Sequence, residues 1–362
     1  MRILVTGGVG FIGTNVCLEA ISRGHEVCAF DNLVRPLTEE NIEVLKKAGV
    51  KIVRGDIRNE EDFEKFPWVP EGIVHLGGQC GIPYAQINPI YDFEVNLRGT
   101  INILEYSRTH GLIPIAFASS NKAYTNITDT LPMKESTTRF EYDINEIVKA
   151  MDERSDNENY WWRAISERGI NENLPLDAFG KFARSLYGTS KVAGDLYCQE
   201  YWQAFGVPTV VNRMSCIYGL FQHGVEDQAW VDWFIRQIIQ GDGKINIFGT
   251  GKQVRDMLFG SDVARLYIDE LENIDKVAGK PYNIGGGIEN TMSLLEAIKH
   301  IEDFSGSKAE LTFTDKRHGD QDIWISDISK IKDDLGWEPT VSPQQGIEMM
   351  IKEYRGKKTD IL

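Results

Sequence analysis

The sequence predicts an α/β protein in which a parallel sheet, covered by helices on both faces, is joined to a smaller mixed α/β lobe. Short apolar runs alternate with helix-length segments through the first half of the chain. This alternation is typical of parallel strands linked by crossover helices. A glycine-rich turn follows the first apolar run directly, and after residue 219 the pattern becomes mixed and more local.

Six apolar runs are predicted to form the strands of the sheet. Such strands read as nearly continuous apolar runs because both faces of the sheet are buried. The predicted strands cover residues 2–6, 27–30, 51–54, 73–76, 115–119 and 210–213. Helices are expected between them, for example over residues 11–23 and 95–110, and later over residues 185–205.

The change of pattern also predicts the domain organisation. Residues 1–219 are expected to form the sheet domain, and residues 220–362 mainly the smaller lobe. Segments near 260–285 and 323–330 are expected to return to the sheet domain. Residues 126–182 form a polar, irregular insertion that includes a charged, helix-like stretch over 145–168. Two interpretations of this insertion stay open, an element near the mouth of the functional site and a surface excursion without a role.

Composition excludes several classes of protein. Of the 362 residues, 42% are apolar, which is enough for a sizeable core. No run of 18 apolar residues occurs and the glycine turn begins almost at Met1, so neither a membrane span nor a signal peptide is expected and the protein is predicted to be cytoplasmic. A net charge of −15 argues against nucleic acids and anionic membranes as partners. The five cysteines and six histidines lack metal-ligand spacing, so no metal site is expected.

The glycine-rich turn carries the first functional signal. Gly7, Gly10 and Gly13 follow a predicted strand and open a predicted helix. In this context they allow a tight turn, the approach of a pyrophosphate to a helix N-terminus, and close packing of helix on strand. Asp31 follows the second predicted strand, where its carboxylate can bind the adenosine ribose and repel a 2′-phosphate. The pattern predicts a Rossmann-type domain that binds NAD, although Arg35 keeps NADP as an alternative.

Other predicted NAD contacts lie at the carboxyl ends of the strands, where ligands of such sheets gather. Asp56 and Ile57 are expected to meet the adenine, and residues 76–79 to lie beside the pyrophosphate or the nicotinamide half. The further predicted contacts are Phe11, Ile12, Asn32, Asp56, Ile57, Leu76, Gly77, Gly78, Gln79, Asn96, Ser119, Met214 and Ser215.

A catalytic set is predicted from three side chains. Tyr187 and Lys191 are four residues apart in a predicted helix, so they share one face. The lysine ammonium and a nearby oxidised nicotinamide would lower the pKa of the tyrosine and make it a usable base. Ser120 ends the fifth strand and can hold the reacting hydroxyl group. An exposed helix pair is the alternative for the tyrosine and lysine, but the glycine turn and the serine, in this chain order, favour catalysis.

These motifs resemble the extended short-chain dehydrogenases/reductases over nearly the whole chain. The resemblance implies that Ser120, Tyr187 and Lys191 are catalytic, with Tyr187 and Lys191 also contacting NAD. It further implies a nucleotide-diphosphate sugar as substrate and a homodimer or homotetramer as the assembly. Residues 249–256 resemble the family's arginine-bearing segment that meets the substrate diphosphate. Because planar guanidinium groups grip diphosphates well, Arg255 is expected to bind it.

The alternative for such an arginine is a surface ion pair. Arg317, in the segment that resembles the family's last substrate segment, is a second expected diphosphate ligand, with Asp320 as its alternative partner. For Arg255 the alternative partner is Asp256. The complete set of predicted substrate contacts is Ser120, Asn121, Arg213, Cys216, Asp227, Gln228, Gln253, Arg255, Arg317 and Asp320.

The fold does not choose the reaction, but local residues favour one. The related 4,6-dehydratases carry Asp-Glu after the catalytic Ser/Thr, where this chain has Asn121 and Lys122, so water elimination is disfavoured. The related UDP-galactose 4-epimerases carry Asn where this chain has Cys216. Segments such as 119–124 and 227–234 resemble CDP-paratose 2-epimerases, also called CDP-tyvelose epimerases. This resemblance implies inversion of a sugar carbon, carbon 2 of a CDP-hexose, by transient oxidation with tightly bound NAD.

Two other functions remain open at this stage. One is a 4-epimerase or another oxidoreductase acting on a nucleotide sugar. The other is a non-catalytic NAD-binding scaffold, which would have no need of an intact catalytic set.

Overall fold

The computed structural model describes residues 1–153, 163–177, 184–226, 228–317 and 320–359. The strands in these ranges are β1 (Arg2–Thr6), β2 (Glu26–Asp31), β3 (Lys51–Arg54), β4 (Gly72–His75), β5 (Ile115–Ser120), β6 (Met133–Glu135), β7 (Phe140–Tyr142), β8 (Ile165–Ser166), β9 (Gly169–Ile170), β10 (Thr209–Met214), β11 (Cys216–Tyr218), β12 (Lys244–Phe248), β13 (Val254–Phe259), β14 (Pro281–Ile284), β15 (Thr291–Ser293), β16 (Glu310–Thr314) and β17 (Ile323–Trp324). The helices are α1 (Phe11–Ser22), α2 (Glu39–Lys47), α3 (Ile82–Ile87), α4 (Pro89–Phe93), α5 (Gly99–Thr109), α6 (Ile144–Glu153), α7 (Leu186–Phe205), α8 (Trp230–Ile239), α9 (Gly260–Glu272), α10 (Ile274–Val277), α11 (Leu294–Ser305), α12 (Ser329–Leu335) and α13 (Pro343–Thr359).

The main sheet has seven parallel strands in the order β14-β10-β5-β4-β1-β2-β3. Helices cover both of its faces. Ile3 and Val5 of β1 pack in the cluster that contains α1 and α9 side chains, whereas Leu4 packs in the cluster that contains α5 and α7 side chains. This alternation follows from the two-residue repeat of a strand. The predicted Rossmann-type doubly wound fold is confirmed.

The six predicted strands are all present, and β14 adds a seventh at the edge beside β10. The helix predicted over 95–110 begins later, because residues Glu94–Arg98 form a π-turn and α5 starts at Gly99. The prediction of a single helix-like stretch over 145–168 was wrong. There α6 ends at Glu153, and β8 and β9 form a short hairpin that includes Ile165 and Ile170.

The smaller lobe is built on β13, which pairs with β11, β15 and β17, and on the separate pair β12–β16. Its core holds apolar side chains from α8, α11 and α13, represented by Phe234, Ile301 and Met350. Because β11 follows β10 after a single residue, the lobe begins directly at the carboxyl edge of the main sheet. This connection places the lobe at the same edge of the sheet as the glycine-rich turn, and Asn15 of α1 donates to the Leu220 carbonyl oxygen at 3.1 Å.

The insertion forms a small core of its own. Tyr124, Ile127, Ile165 and Leu174 bury a cluster against Trp324 of β17. None of the described residues between 126 and 177 lines the cavity of the candidate site. The insertion instead packs against Trp324, in the segment that follows the cavity-wall residue Asp320.

In the described part of the chain, no helix is long and apolar enough to cross a membrane. Nor does this part gather three or more His, Cys, Asp or Glu side chains in an arrangement able to hold a metal ion.

Candidate active site

A cavity of about 720 Å³ lies at the carboxyl edge of the main sheet and reaches the smaller lobe. It brings together most of the side chains predicted from the sequence. Those predicted for NAD that line it are Gly7, Gly10, Phe11, Ile12, Gly13, Asp31, Asn32, Ile57, Leu76, Gly77, Gly78, Ser119, Tyr187, Lys191, Met214 and Ser215. Those predicted for the substrate are Ser120, Asn121, Cys216, Gln228, Arg255, Arg317 and Asp320.

At Gly7, in the turn between β1 and α1, and at Gly13, in the first part of α1, there is room only for glycine. Gly7 has a φ of +66°, and a Cβ added there would lie 2.9 Å from the backbone nitrogen of Gly77. A Cβ on Gly13 would lie 2.2 Å from the carbonyl oxygen of Gly7. The turn therefore leaves a backbone cradle in front of the helix N-terminus, which fits the pyrophosphate of NAD.

Asp31 is held at the end of β2 by the same turn. One carboxylate oxygen accepts a hydrogen bond from the Val9 backbone N–H at 3.2 Å, and the other accepts one from Leu33 N–H at 2.9 Å. Burial raises the pKa of Asp31, while these backbone donors act in the opposite direction. The carboxylate is thus fixed beside the turn, where it fits the adenosine ribose.

Three predicted NAD contacts lie behind the cavity wall. Asp56 accepts hydrogen bonds from Asn32 at 3.2 Å and from Arg58 at 2.8 Å, so it supports Asn32 from outside. Asn96 accepts a hydrogen bond from the Gln79 N–H at 2.8 Å and donates one to the Ser190 hydroxyl at 3.0 Å. Gln79 and Asn96 therefore connect the loop after β4 to α7.

The three predicted catalytic side chains are buried and line one cavity. Ser120 ends β5, and α7 begins after Ser185, whose hydroxyl accepts a hydrogen bond from the Gly188 N–H at 3.0 Å. A Cβ on Gly188 would lie 2.2 Å from the Lys122 carbonyl oxygen, so this glycine lets α7 approach the segment after β5. The approach brings Tyr187 and Lys191 to Ser120.

The protein groups around Tyr187 act on its pKa in both directions. Burial raises the pKa of Tyr187, although its hydrogen bond with Ser120 acts to lower it. The Lys191 ammonium, whose pKa burial lowers, donates to the Ala118 carbonyl oxygen at 3.0 Å. The expectation from the sequence combines the Lys191 ammonium with an oxidised nicotinamide, whose positive charge would act to lower the pKa of Tyr187.

Two predicted substrate contacts lie outside the cavity wall, and a third is outside the described residues. Arg213 is buried in an ion pair with Asp195 at 2.8 Å and donates to the Tyr124 hydroxyl at 2.8 Å. Its guanidinium group is therefore bound to other protein side chains behind the cavity. Gln253 donates to the Phe248 carbonyl oxygen beside the wall. Asp227 falls outside the residues that the structure describes.

Two arginines form the wall of the substrate half. Arg255 donates to the carbonyl oxygens of Val254 at 2.8 Å and Gln321 at 2.6 Å. Arg317 pairs with Asp320 at 3.0 Å, the partner considered as its alternative, yet both residues line the cavity. The guanidinium groups are therefore positioned by local contacts while they face the space in which a ligand would lie.

Lys122 is a residue of the cavity wall that the sequence prediction did not include. Its Nζ donates to the Gln321 side-chain oxygen at 3.0 Å. Burial lowers the pKa of Lys122 to about 7, and the positive charge of Arg255 acts in the same direction. The sequence signal was its place two residues after Ser120, where the family's dehydratases carry an acid.

A bridge of side chains crosses from the main sheet to the lobe at this cavity. Arg35 donates to Cys80 Sγ at 3.1 Å and to the Gln228 side-chain oxygen at 3.0 Å. Gln228 in turn donates to the Cys80 carbonyl oxygen at 3.0 Å. Arg35, the residue that kept NADP as an alternative, is thus engaged in this bridge.

The comparisons with known proteins agree with this geometry. The chain is 36% identical to the CDP-paratose 2-epimerase of Salmonella typhi, covering 97% of this chain and 98% of that protein. It is 29% identical to a putative UDP-glucose 4-epimerase of Methanocaldococcus jannaschii, covering 96% and 97% of the two chains.

Solved structures resemble the fold over its full length. The UDP-glucose 4-epimerase of Thermus thermophilus, in complex with NAD, superposes with a TM-score of 0.75 at 26% identity, covering 98% of this chain and 99% of that one. The UDP-glucose 4-epimerase of Thermotoga maritima, with UDP-glucose, gives a TM-score of 0.75 at 25% identity, covering 99% and 100%.

NAD is the cofactor that the glycine turn and Asp31 are built to hold, and it is the cofactor in the related structure. The model of the NAD dependent epimerase/dehydratase family matches residues 3–160 and 163–285. With the glycine turn, Asp31 and the Ser120–Tyr187–Lys191 set on one cavity, the chain belongs to the NAD dependent epimerase/dehydratase family.

Proposed function

We propose that the protein is a nucleotide-sugar epimerase that inverts carbon 2 of a CDP-hexose. The observation that carries the proposal is the make-up of the catalytic edge. Ser120, Tyr187 and Lys191 line one buried cavity, and the positions after Ser120 hold Asn121 and Lys122 rather than two carboxylates. The relative that is 36% identical over nearly the whole chain is a CDP-paratose 2-epimerase, which supports both the carbon and the base.

In the proposed reaction Tyr187 takes the proton from the sugar hydroxyl, and Ser120 holds that hydroxyl by hydrogen bonding. Bound NAD supplies the hydride acceptor and donor, together with the positive charge of its oxidised nicotinamide. Lys191 is placed four residues from Tyr187 on the same face of α7 and stabilises the phenolate. When the resulting keto sugar has turned its other face, Tyr187 returns the proton to the oxygen.

The substrate half supplies the anchor that such a turn requires. Arg255 and Arg317 bind the diphosphate, so the sugar can rotate while the nucleotide stays in place. Both guanidinium groups are fixed by protein contacts on one side and line the cavity on the other. A diphosphate anchor is consistent with inversion, and the two positions after Ser120 lack the paired carboxylates that the related dehydratases use to remove water.

The proposed assembly is a homodimer formed through α3, α4 and α7. These helices pack together and leave large apolar side chains in solvent. Ile87 is 76% exposed, Ile90 70% and Leu196 51%. Large exposed apolar side chains on three helices that pack together favour a protein interface at this surface. A Leu196→Glu variant should be monomeric in light scattering, whereas a variant that remains dimeric would contradict this surface.

The central experiment uses protein purified without added cofactor in deuterium oxide. CDP-, UDP-, GDP- and dTDP-hexoses are supplied in turn, and the sugar carbons are followed by NMR. We expect inversion at carbon 2 of a CDP-hexose without deuterium at that carbon, because the hydride returns internally from bound NAD. Inversion at carbon 4, or release of a keto product, would contradict the proposal and support another oxidoreductase of nucleotide sugars. Bound NAD without turnover of any of these sugars would support a non-catalytic scaffold.

A further inference from the structure

Lys122 lies on the cavity wall between the catalytic edge and the arginines of the substrate half. Its backbone N–H donates to the Ser120 hydroxyl oxygen at 3.2 Å, so the backbone of Lys122 lies directly beside the catalytic serine. Its ammonium group reaches Gln321 of the opposite segment at 3.0 Å. We propose that Lys122 is a third cationic ligand of the nucleotide-diphosphate sugar, beside Arg255 and Arg317. This inference rests on the proposed function and deepens it.

The contact with Gln321 fixes where the ammonium group sits. The Gln321 side chain is fully buried, and its oxygen accepts hydrogen bonds from both Lys122 and Asn121. Its backbone oxygen is held by Arg255 at 2.6 Å. Among the described residues its side-chain nitrogen has no hydrogen-bond partner. Because Gln321 is fully buried and does not line the cavity, its contacts hold the Lys122 ammonium group at the cavity wall from behind.

Charged groups face Lys122 from three elements. Arg255 of β13 and Arg317 disfavour its protonated form, whereas Asp320 and Asp129 favour it. Burial adds the largest effect and lowers the pKa of Lys122 to about 7. Without a ligand, about half of the molecules therefore carry a neutral amine at that pH.

An anionic ligand reverses this balance. A diphosphate diester carries negative charge that does not titrate near neutral pH, and it would favour the charged ammonium. Binding should then be accompanied by proton uptake. Because the pKa of Lys122 is raised in the complex, the binding energy from this charge is fully present below about pH 7 and is lost as pH rises through the higher pKa of the complex.

The test is calorimetric titration of NAD-loaded protein with CDP-glucose, repeated in buffers of different ionisation enthalpy. We expect uptake of roughly half to one proton per site near pH 8, and an apparent Kd that rises with pH above about 7. Lys122→Met should bind more weakly without proton uptake. Lys122→Arg keeps the charge but cannot titrate in this range, so it should bind with little dependence on pH.

Lys330→Met is the matched control. Burial lowers the pKa of Lys330 as well, but its ammonium contacts the Pro281 carbonyl oxygen and the Tyr282 ring, away from the cavity. It should keep the full proton uptake. Uptake that persists in Lys122→Met, or that is absent from the unaltered protein, would overturn the inference. Lys122-dependent uptake without inversion of any sugar carbon would contradict only the proposed function, and inversion with uptake unchanged in Lys122→Met would contradict only the role of Lys122.

Discussion

The two halves of the cavity are held in place by different kinds of contact. On the cofactor side backbone contacts set the geometry, because Gly7 and Gly13 leave no room for a side chain and Asp31 is fixed by backbone N–H groups. On the substrate side the wall includes charged side chains such as Arg317, which pairs with Asp320, and Lys122, which donates to the buried Gln321.

This difference has a physical reason. The cofactor is common to the family, so a rigid backbone cradle suits it. In the proposed reaction the substrate side recognises one sugar nucleotide and lets its sugar turn, and its geometry depends on side chains from separate segments. We therefore expect changes in the first half to affect NAD retention, and changes in the second half to affect substrate binding alone.

The largest effect is expected where the halves meet. Tyr187→Phe removes the hydroxyl that moves the proton, and should lower kcat by about 10²- to 10⁴-fold. NAD content and substrate affinity should change little, because the ring still fills the same buried space. Single-turnover kinetics with the NMR assay measure the rate. Turnover near that of the unaltered protein would remove Tyr187 from the mechanism.

The second effect concerns the cofactor half alone. Gly13→Ala places a Cβ 2.2 Å from the Gly7 carbonyl oxygen, so the turn must move and NAD should be lost on gel filtration. We expect at least about tenfold weaker NAD binding. Gly356→Ala on α13 is the matched control, since a Cβ there meets nothing within 4 Å. Equal NAD content in the two variants would show that the turn does not limit cofactor binding.

The third effect concerns the substrate half. Asp129 of the insertion accepts a hydrogen bond from the Asp322 N–H at 3.1 Å and lies 3.5 Å from Lys316, so it supports the segment that carries Arg317. Asp129→Ala should raise KM about two- to tenfold while NAD content stays constant. Its control is Glu135→Ala, which removes an exposed ion pair with Lys252 from the same insertion. If both variants raise KM equally, the insertion acts by general destabilisation instead.

The same comparison explains how much the sequence could predict. The glycine turn and the Tyr187–Lys191 pair are local patterns with fixed spacing, so the fold and the cofactor half could be predicted from them. The inferred role of Lys122 depends on its hydrogen bond with Gln321 and on the nearby charge of Arg255, and both residues are distant in the chain. Arg213 was expected at the substrate because its motif suggested it, but its burial against Asp195 depends on the packing of β10 on α7.

The smallest effect is expected on stability alone, with no change in NAD content or substrate binding. It therefore tests whether the two halves of the cavity can be left unaffected by a change elsewhere. Glu270 on α9 is buried behind β10, where it accepts a hydrogen bond from Asn212 at 2.8 Å. Burial raises its pKa from 4.5 to about 8. Within the described residues, one side-chain oxygen of Glu270 and one of Asn212 have no hydrogen-bond partner. Burial without such partners disfavours the charged form of the Glu270 carboxyl group.

The sign of the pH dependence follows from this raised pKa. The folded state holds the Glu270 proton more tightly than the unfolded state does. The contribution of protonated Glu270 to the free energy of unfolding is therefore fully present below about pH 4.5 and is lost as pH rises through about 8. Glu270→Gln cannot ionise and should escape that loss. We expect its Tm to match that of the unaltered protein near pH 5 and to exceed it by about 2 °C or more near pH 8. NAD content and KM should stay constant, and a Tm difference that is equal at both pH values would show that ionisation of Glu270 does not limit stability.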